Sequence, residues 1–260
     1  MPQSFPQIQT IEIDVFGYSI RLPELRRYRK FYDKLRAGKW EARTFQVLGK
    51  HLDEQTHYVD IGAWIGVTAF WASHIAKSVI AVEPDPDCVE ILRQLSPSYP
   101  KVKVLEGALA RGPDILLHAV GDFGSSETSA LNIGEGPSVL ARGLAIEEIM
   151  RQAGAGPVFL KIDIEGYEYE MASEIAKLRS YDLRAVQCAV HPQLLEKSQT
   201  GPLPLRRFRT LVKTWQFRRL LPGYRAVPGR RYSSFISYLT FGIALRRVPR
   251  GTDLVYYKQA

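Results

Sequence analysis

Short apolar runs alternate through the middle of the chain with longer stretches of helical spacing. The runs are His57–Ile61, Ser78–Val82, Lys101–Leu105, Val158–Ile162 and Arg184–Val190. They are rich in aliphatic residues, too short for most helices, and read as buried strands. Between them, Val67–Ala76, Pro86–Leu95, Ile146–Ala153 and Tyr167–Leu178 read as helices. Asp85 precedes Pro86 as a plausible N-cap, and Gly154 and Gly156 end the helix at Ala153. Ile115–Val120 and Leu140–Leu144 read as further strands. Such alternation predicts an α/β fold built on a parallel sheet.

Both ends of the chain break this rhythm. Ile11–Ile20 alternates as a strand or hairpin around Gly17. Pro23–Leu35 has helical spacing with a strongly basic face, and Trp40–Leu48 reads as a helix leading to the first core strand. Beyond the core, Leu205–Leu221 reads as a basic helix, and Ser234–Leu245 and Leu254–Tyr257 as strands able to close the sheet antiparallel. The expected organisation is an N-terminal helical and hairpin extension over residues 1–55, then one α/β domain over 56–260 with a basic region at 203–231. A chain of 260 residues fits one large domain with additions.

Composition narrows the class without changing the fold. With 45% hydrophobic and 24% charged residues, the chain has the balance of an ordinary globule with a sizeable core. Cys88 and Cys188 lie in apolar surroundings and read as buried thiols. No CxxC or His/Cys cluster is present, so zinc is not expected. The longest uncharged apolar run, about Tyr232 to Leu245, is too short to span a membrane, and the first residues lack the layout of a secretion signal. The chain therefore reads as cytoplasmic. Its net charge of +8 concentrates at Arg21–Lys39 and Arg206–Arg231, leaving nucleic acid, anionic lipid or an acidic substrate as open partners.

The chemistry gathers where strands end. Tyr58–Gly66 is a strand running into an acid, Asp60, and a glycine turn made of Gly62, Ala63, Trp64 and Gly66. The spacing is G-x-x-x-G, so the dinucleotide fingerprint is missing. Asp60 can hold an ammonium group or the turn itself. About twenty residues on, Glu83 ends the second strand where an acid reaches a ribose diol, and Pro84 stiffens the turn after it. Gly107 and Ala108 come after the third strand, where a loop would flank an adenine ring. Asp163 and Glu165 end the fourth strand and share one side by alternation. Asp163 is a candidate for binding the cofactor amine, a substrate hydroxyl or a metal; Glu165 is a candidate helix cap. His191 comes directly after the fifth strand as a candidate general base. The loop Gly121–Ser129, rich in glycine and hydroxyls, is expected to be exposed or to line a pocket. Together the strand ends point to a methyltransferase using S-adenosylmethionine.

Three motifs resemble the FkbM-type family of S-adenosylmethionine-dependent methyltransferases: Val59–Gly66, Ala81–Pro86 and Leu160–Glu168, supported by the small-residue stretch Gly124–Ser129. The resemblance covers roughly Tyr58 to Pro192. It implies a Rossmann-like class I methyltransferase fold, with a seven-stranded, mostly parallel sheet, helices on both faces and an antiparallel last strand. It implies O-methylation of small molecules, often sugars or natural-product hydroxyls. Carried over by position, Asp60, Gly62 and Gly66 would meet the methionine part, Glu83 the ribose, and Asp163 would lie near the sulfonium. Two departures stand out. Trp64 occupies a position where relatives commonly carry asparagine, and Ala189 stands where they often have a glutamate, leaving His191 without that acidic neighbour.

The expected reaction is methyl transfer to a small-molecule hydroxyl, with Asp163 or His191 as base, or a divalent metal bridging Asp163 and a diol if neither serves. An alternative keeps the fold and takes RNA as substrate, using the cations from Arg206 to Arg231 with Trp215, Phe217 and Tyr224. Another is a non-catalytic protein that binds the cofactor and docks its basic helix on an anionic membrane surface.

Overall fold

The computed structural model describes residues 7–119, 123–124, 128–131, 136–221, 224–227 and 252–258. The chain opens with a hairpin, β1 (Thr10–Val15) and β2 (Tyr18–Pro23), turned at Phe16 and Gly17. Both turn residues have left-handed backbones (φ 42° and 93°), the twist that a two-residue hairpin loop demands. Helices α1 (Arg29–Arg36) and α2 (Ala42–His51) come next. The basic face of α1 is exposed, while Tyr32 and Leu35 turn inward. Ile13, Val15, Ile20 and Leu22 are buried in the same apolar cluster as Tyr58 and Phe159 of the central sheet, so the extension shares the core it covers.

The core elements come in the expected alternation: β3 (His57–Ile61), α3 (Val67–Ala72), β4 (Ser78–Glu83), α4 (Pro86–Leu95) and β5 (Val102–Glu106). After an insertion, α5 (Ile146–Ala153) and β9 (Val158–Ile162) resume it, succeeded by α6 (Ala172–Ala176), β10 (Leu183–Val190), α7 (Pro192–Ser198) and α8 (Leu203–Phe217). Two strands, β11 (Tyr224–Val227) and β12 (Thr252–Lys258), complete a seven-stranded sheet in the order β11-β12-β10-β9-β3-β4-β5. Every neighbouring pair from β10 to β5 is parallel, and β12 runs antiparallel to both β10 and β11. All residues of β3 and β9 are buried, as central strands covered on both faces must be. One apolar layer packs the hairpin, α2, α3 and α4 on one face, and a second packs α5, α6 and α8 on the other.

The insertion differs from the sequence expectation. β6 (Ala108–Leu109), β7 (Asp114–His118) and β8 (Ser138–Leu144) form a separate three-stranded sheet, not part of the main one. Residues of β7 and β8 alternate between exposed and covered, with Leu116 and Leu140 facing outward, so these strands cover one face instead of filling a core. The helix expected over Tyr167–Leu178 is broken into a 3-10 turn (Tyr167–Tyr169), α6, and a second turn (Lys177–Ser180). Its start is bent by left-handed backbones at Glu165 and Gly166, and the Glu168 carboxylate folds back onto the Gly166 N–H. β11 was not expected from the basic, loop-like sequence around it. Ser234–Leu245 lies outside the described residues. Cys88 and Cys188 are free and buried, and no helix among the described residues is long and apolar enough to cross a membrane.

Candidate cofactor and active site

The turn after β3 is shaped by close backbone packing. Gly62 is left-handed (φ 82°), and a Cβ there would fall 1.8 Å from the carbonyl oxygen of Asp163. Glycine is thus required because the end of β9 presses against the turn. Trp64 is left-handed as well (φ 51°), a costly backbone for a bulky residue. Its N–H donates to Glu83 Oε2 at 2.7 Å, its indole Nε1–H donates to the Gly124 carbonyl at 3.1 Å, and its ring packs among Tyr28, Phe31 and Trp40. An aromatic cage from the N-terminal extension surrounds it there.

Asp85 caps α4 as expected, with Oδ1 accepting from the N–H groups of Asp87 (3.0 Å) and Cys88 (3.2 Å). Its second oxygen accepts from the Gly124 N–H and the Thr128 hydroxyl, each at 2.8 Å. The Tyr28 hydroxyl donates to the Gly124 carbonyl. Gly124 and Thr128 are thereby tied to the start of α4, and Thr128 and Ser129 line a cavity.

That cavity is an open cleft at the carboxyl ends of the strands, with about 580 Å³ of space at its mouth that merges with solvent. Of the residues expected at the cofactor, Gly62, Trp64, Glu83, Pro84, Gly107, Ala108 and Asp163 lie on its wall. Trp64 lines the space and does not plug it. Three others do not reach the wall. Asp60 is fully buried, accepts from the Thr68 hydroxyl, and pairs with Lys161 Nζ at 3.5 Å; alternation along β3 turns it under the sheet. Ala63 is packed in the apolar core. A Cβ at Gly66 would meet the Phe70 ring at 2.5 Å and Leu92 at 2.7 Å, so this glycine serves helix packing.

Glu83 is 5% exposed, and its carboxylate accepts from the N–H of Trp64 on one oxygen and of Asp85 (2.9 Å) on the other. Burial raises its pKa to about 8, more than those two backbone bonds lower it.

Asp163 and Glu165 both line the cavity, on the same side as alternation predicts. The Asp163 N–H donates to Ile61 at 2.9 Å, extending the β3–β9 pairing to the site, and Lys161 bridges Asp163 Oδ2 and Asp60 from below, 3.5 Å from each. His191 does not lack an acidic neighbour. Glu168, fully buried, stands in for the missing strand acid: its Oε1 lies 2.8 Å from His191 Nδ1. The Nε2 atom faces Glu165 Oε2 at 3.5 Å and Asp163 Oδ1 at 3.8 Å. Burial alone lowers the imidazole pKa, but the hydrogen bond and charge of Glu168, with the charges of Glu165 and Asp163, outweigh it and raise it to about 9. Asp163, Glu165 and His191 each bring a donor atom within 4.8 Å of the others. Glu168 was missed as a site residue because an acid in the first turn of a helix reads as an ordinary dipole partner. His74 stacks on Tyr18, and His118 bonds Ser138, both outside this cluster.

The cations of α8 are largely engaged within the chain. Arg206 donates to the Gln199 carbonyl, Arg207 lies 3.9 Å from Glu196, and Lys213 lies 3.5 Å from Glu170. Arg218 and Arg219 lie over the Trp215 ring, and Phe217 is buried.

A family model for the methyltransferase FkbM domain matches residues 60–217. Among solved structures, the chain is similar to a methyltransferase FkbM from Methylobacillus flagellatus KT, at 17% identity and TM-score 0.44 over 79% of this chain and 44% of that one. It is also similar to a putative methyltransferase from Streptococcus mutans in complex with SAH (9% identity, TM-score 0.47, 83% and 96% covered). A third is an rRNA methylase from Streptococcus thermophilus (8% identity, TM-score 0.45, 84% and 95% covered). The chain spans less than half the length of the Methylobacillus protein. No curated protein matches it. The sheet, with its antiparallel β12, is that of a Rossmann-like class I methyltransferase fold. Because the family match spans more than half of its residues, the chain belongs to the FkbM family of methyltransferases.

Proposed function

We propose that this chain is an S-adenosylmethionine-dependent O-methyltransferase whose acceptor is a hydroxyl of a small molecule such as a sugar or natural product. The observation that carries the reading is Glu83, a buried carboxylate on the cavity wall at the end of the second central strand. The wall fits the cofactor's nucleoside. Each Glu83 oxygen accepts one backbone N–H and keeps a lone pair for a ribose hydroxyl, while Ala108, Leu109, Ile115 and Leu117 offer apolar surface to a flat ring. Bound there, S-adenosylmethionine supplies a methyl group already activated by its sulfonium.

The chain then has to orient a hydroxyl, exclude water and take a proton. Trp64, Thr128 and Ser129 line the cavity and take the place of water on its wall. Asp163, a carboxylate on the cavity wall at the end of β9, is the acceptor for the substrate's O–H proton. His191 already carries its proton at neutral pH, and in that state it is a fixed cation between Asp163 and Glu165. The role of base therefore falls to Asp163. The small-molecule reading is favoured over RNA because Arg206, Arg207 and Lys213 of α8 have partners within the chain; the side chains of Tyr224, Arg225, Arg230 and Arg231 lie outside the described residues. An RNA substrate would instead show affinity falling steeply as salt rises.

Calorimetric titration with S-adenosylmethionine tests the reading. Glu83→Ala is expected to weaken binding at least tenfold, since a charge-assisted hydrogen bond contributes about 1.5–3 kcal/mol. Equal affinity in the variant and the parent would reject it.

A further inference from the structure

We propose that Asp163, Glu165 and His191 form a binding site for a first-row divalent cation, with Glu168 fixing the imidazole from behind. The role of the cation rests on the function proposed above; the site itself rests on four independent features of the geometry.

First, the donor set is mixed and convergent. Two carboxylates and one imidazole meet within 4.8 Å, from two different strand ends. Second, their spacing suits coordination better than hydrogen bonding. The Nε2 atom is 3.5 Å from Glu165 and 3.8 Å from Asp163, long for hydrogen bonds. Two atoms each about 2.1 Å from one ion lie about 3.0–3.4 Å apart, so a contraction of a few tenths of an ångström brings each carboxylate to ligand spacing from Nε2. Third, Asp163 Oδ1, one of the converging atoms, is buried with no hydrogen-bond partner among the described residues. A buried acceptor left without a donor is costly unless something fills the gap. Fourth, the histidine is oriented as a ligand is. Glu168 is fully buried, and its Oε1 accepts from the Gly166 N–H (3.1 Å) and from His191 Nδ1 (2.8 Å). A carboxylate on Nδ1 makes Nε2 the atom left to bind, the carboxylate–histidine–metal arrangement of many metalloproteins.

The imidazole favours a later first-row ion such as Fe²⁺ or Zn²⁺ over Mg²⁺ or Ca²⁺, and Mn²⁺, which the two carboxylates suit, serves as the paramagnetic probe of the site. Three protein ligands leave open positions, and Asp163 and Glu165 face the cavity. An acceptor carrying a vicinal diol could fill two of those positions with its oxygens, and its hydroxyl would be acidified by the ion.

Titration of the full chain with Mn²⁺, monitored by electron paramagnetic resonance, reads the site directly. The expected result is one saturable ion per chain, with a ¹⁴N coupling from the imidazole. His191→Gln should abolish that coupling and weaken binding at least tenfold. Glu168→Gln should weaken it 10–100-fold. Glu170→Gln, in an exposed ion pair with Lys213, should leave it unchanged. Thermal melting identifies any variant that fails to fold, and in that event the ¹⁴N coupling of the unaltered chain still decides. Absence of a saturable site, or a site without nitrogen coupling, overturns the proposal. S-adenosylhomocysteine calorimetry on the same sample separates the two ideas. Binding of it without Mn²⁺ uptake leaves the methyltransferase reading standing alone; Mn²⁺ uptake without it leaves only the metal site.

Discussion

A carboxylate that already accepts two N–H groups from its own turn is set in place before any ligand arrives. Glu83 is that residue, and with His191 it makes the molecule sensitive to pH. Both groups have pKa values raised on folding, Glu83 to about 8 and His191 to about 9. A raised pKa means that the folded state holds its proton more tightly. The stability each contributes is complete below its ordinary value, near 4.5 for Glu83 and 6.5 for His191, and is lost as pH rises through the folded value. The ligand-free protein should therefore lose a few kcal/mol, to order of magnitude, between about pH 4.5 and about pH 9. Urea midpoints across that range check this; a flat or rising series would contradict it. Ligand binding should run the other way. Only ionised Glu83 can accept from both ribose hydroxyls, so S-adenosylhomocysteine affinity should climb as pH rises toward about 8. Gly62 is a second sensitive point. Alanine there places a methyl 1.8 Å from a backbone oxygen in a left-handed conformation, and should cost more than about 3 kcal/mol or prevent folding. Sequence position alone put Glu83 and Asp163 at strand ends, and both line the cavity, because that is where such sheets bind ligands. It did not reveal that Asp60 is fully buried against Lys161, since position along a strand does not give depth, and it passed over the contact of Glu168 with His191, 23 residues away.

At the level of elements, α4 and the loop over the cavity depend on one side chain. Asp85 gives one oxygen to the helix start and the other to Gly124 and Thr128. Asp85→Ala should cost about 1–2 kcal/mol through the lost cap alone. It should also release the loop, seen as faster hydrogen exchange at Gly124. Tyr28→Phe removes only the hydroxyl bond to the Gly124 carbonyl and leaves the cap intact. It should loosen the loop with a smaller loss of stability, and equal losses in the two variants would contradict the division of labour. The cap was legible because Asp-Pro before an apolar run has a local cause. The broken helix after β9 was not. Its apolar spacing is helical, but the buried Glu168 and the bent backbone at Glu165 and Gly166 serve a contact with His191 at the end of β10. Periodicity likewise found β7 and β8 as strands and could not say which sheet they join, because that is settled by pairing at a distance.

Over the whole molecule, the first fifty residues read as an addition to an α/β domain, yet they are part of its core. Ile13, Val15, Ile20, Leu22, Tyr28, Tyr32 and Leu35 are buried in one cluster with Tyr58 of β3 and Phe159 of β9. Trp71 of α3 donates its indole N–H to the Val15 carbonyl at 2.8 Å. The same extension cages Trp64, the residue that departs from the family pattern, and so shapes the cavity wall. Fully burying one such side chain contributes about 1.5–3 kcal/mol, and net stability is only about 5–15 kcal/mol. Losing seven of them together exceeds what the remaining domain can spare. Deletion of residues 1–38 should therefore abolish cooperative folding instead of yielding a smaller active domain, and the intact chain should melt in one calorimetric transition with matching calorimetric and van't Hoff enthalpies. Two separated transitions, or a truncated chain that still binds S-adenosylhomocysteine, would mean that the extension is a separate body and that Trp64 holds its left-handed backbone without the aromatic cage.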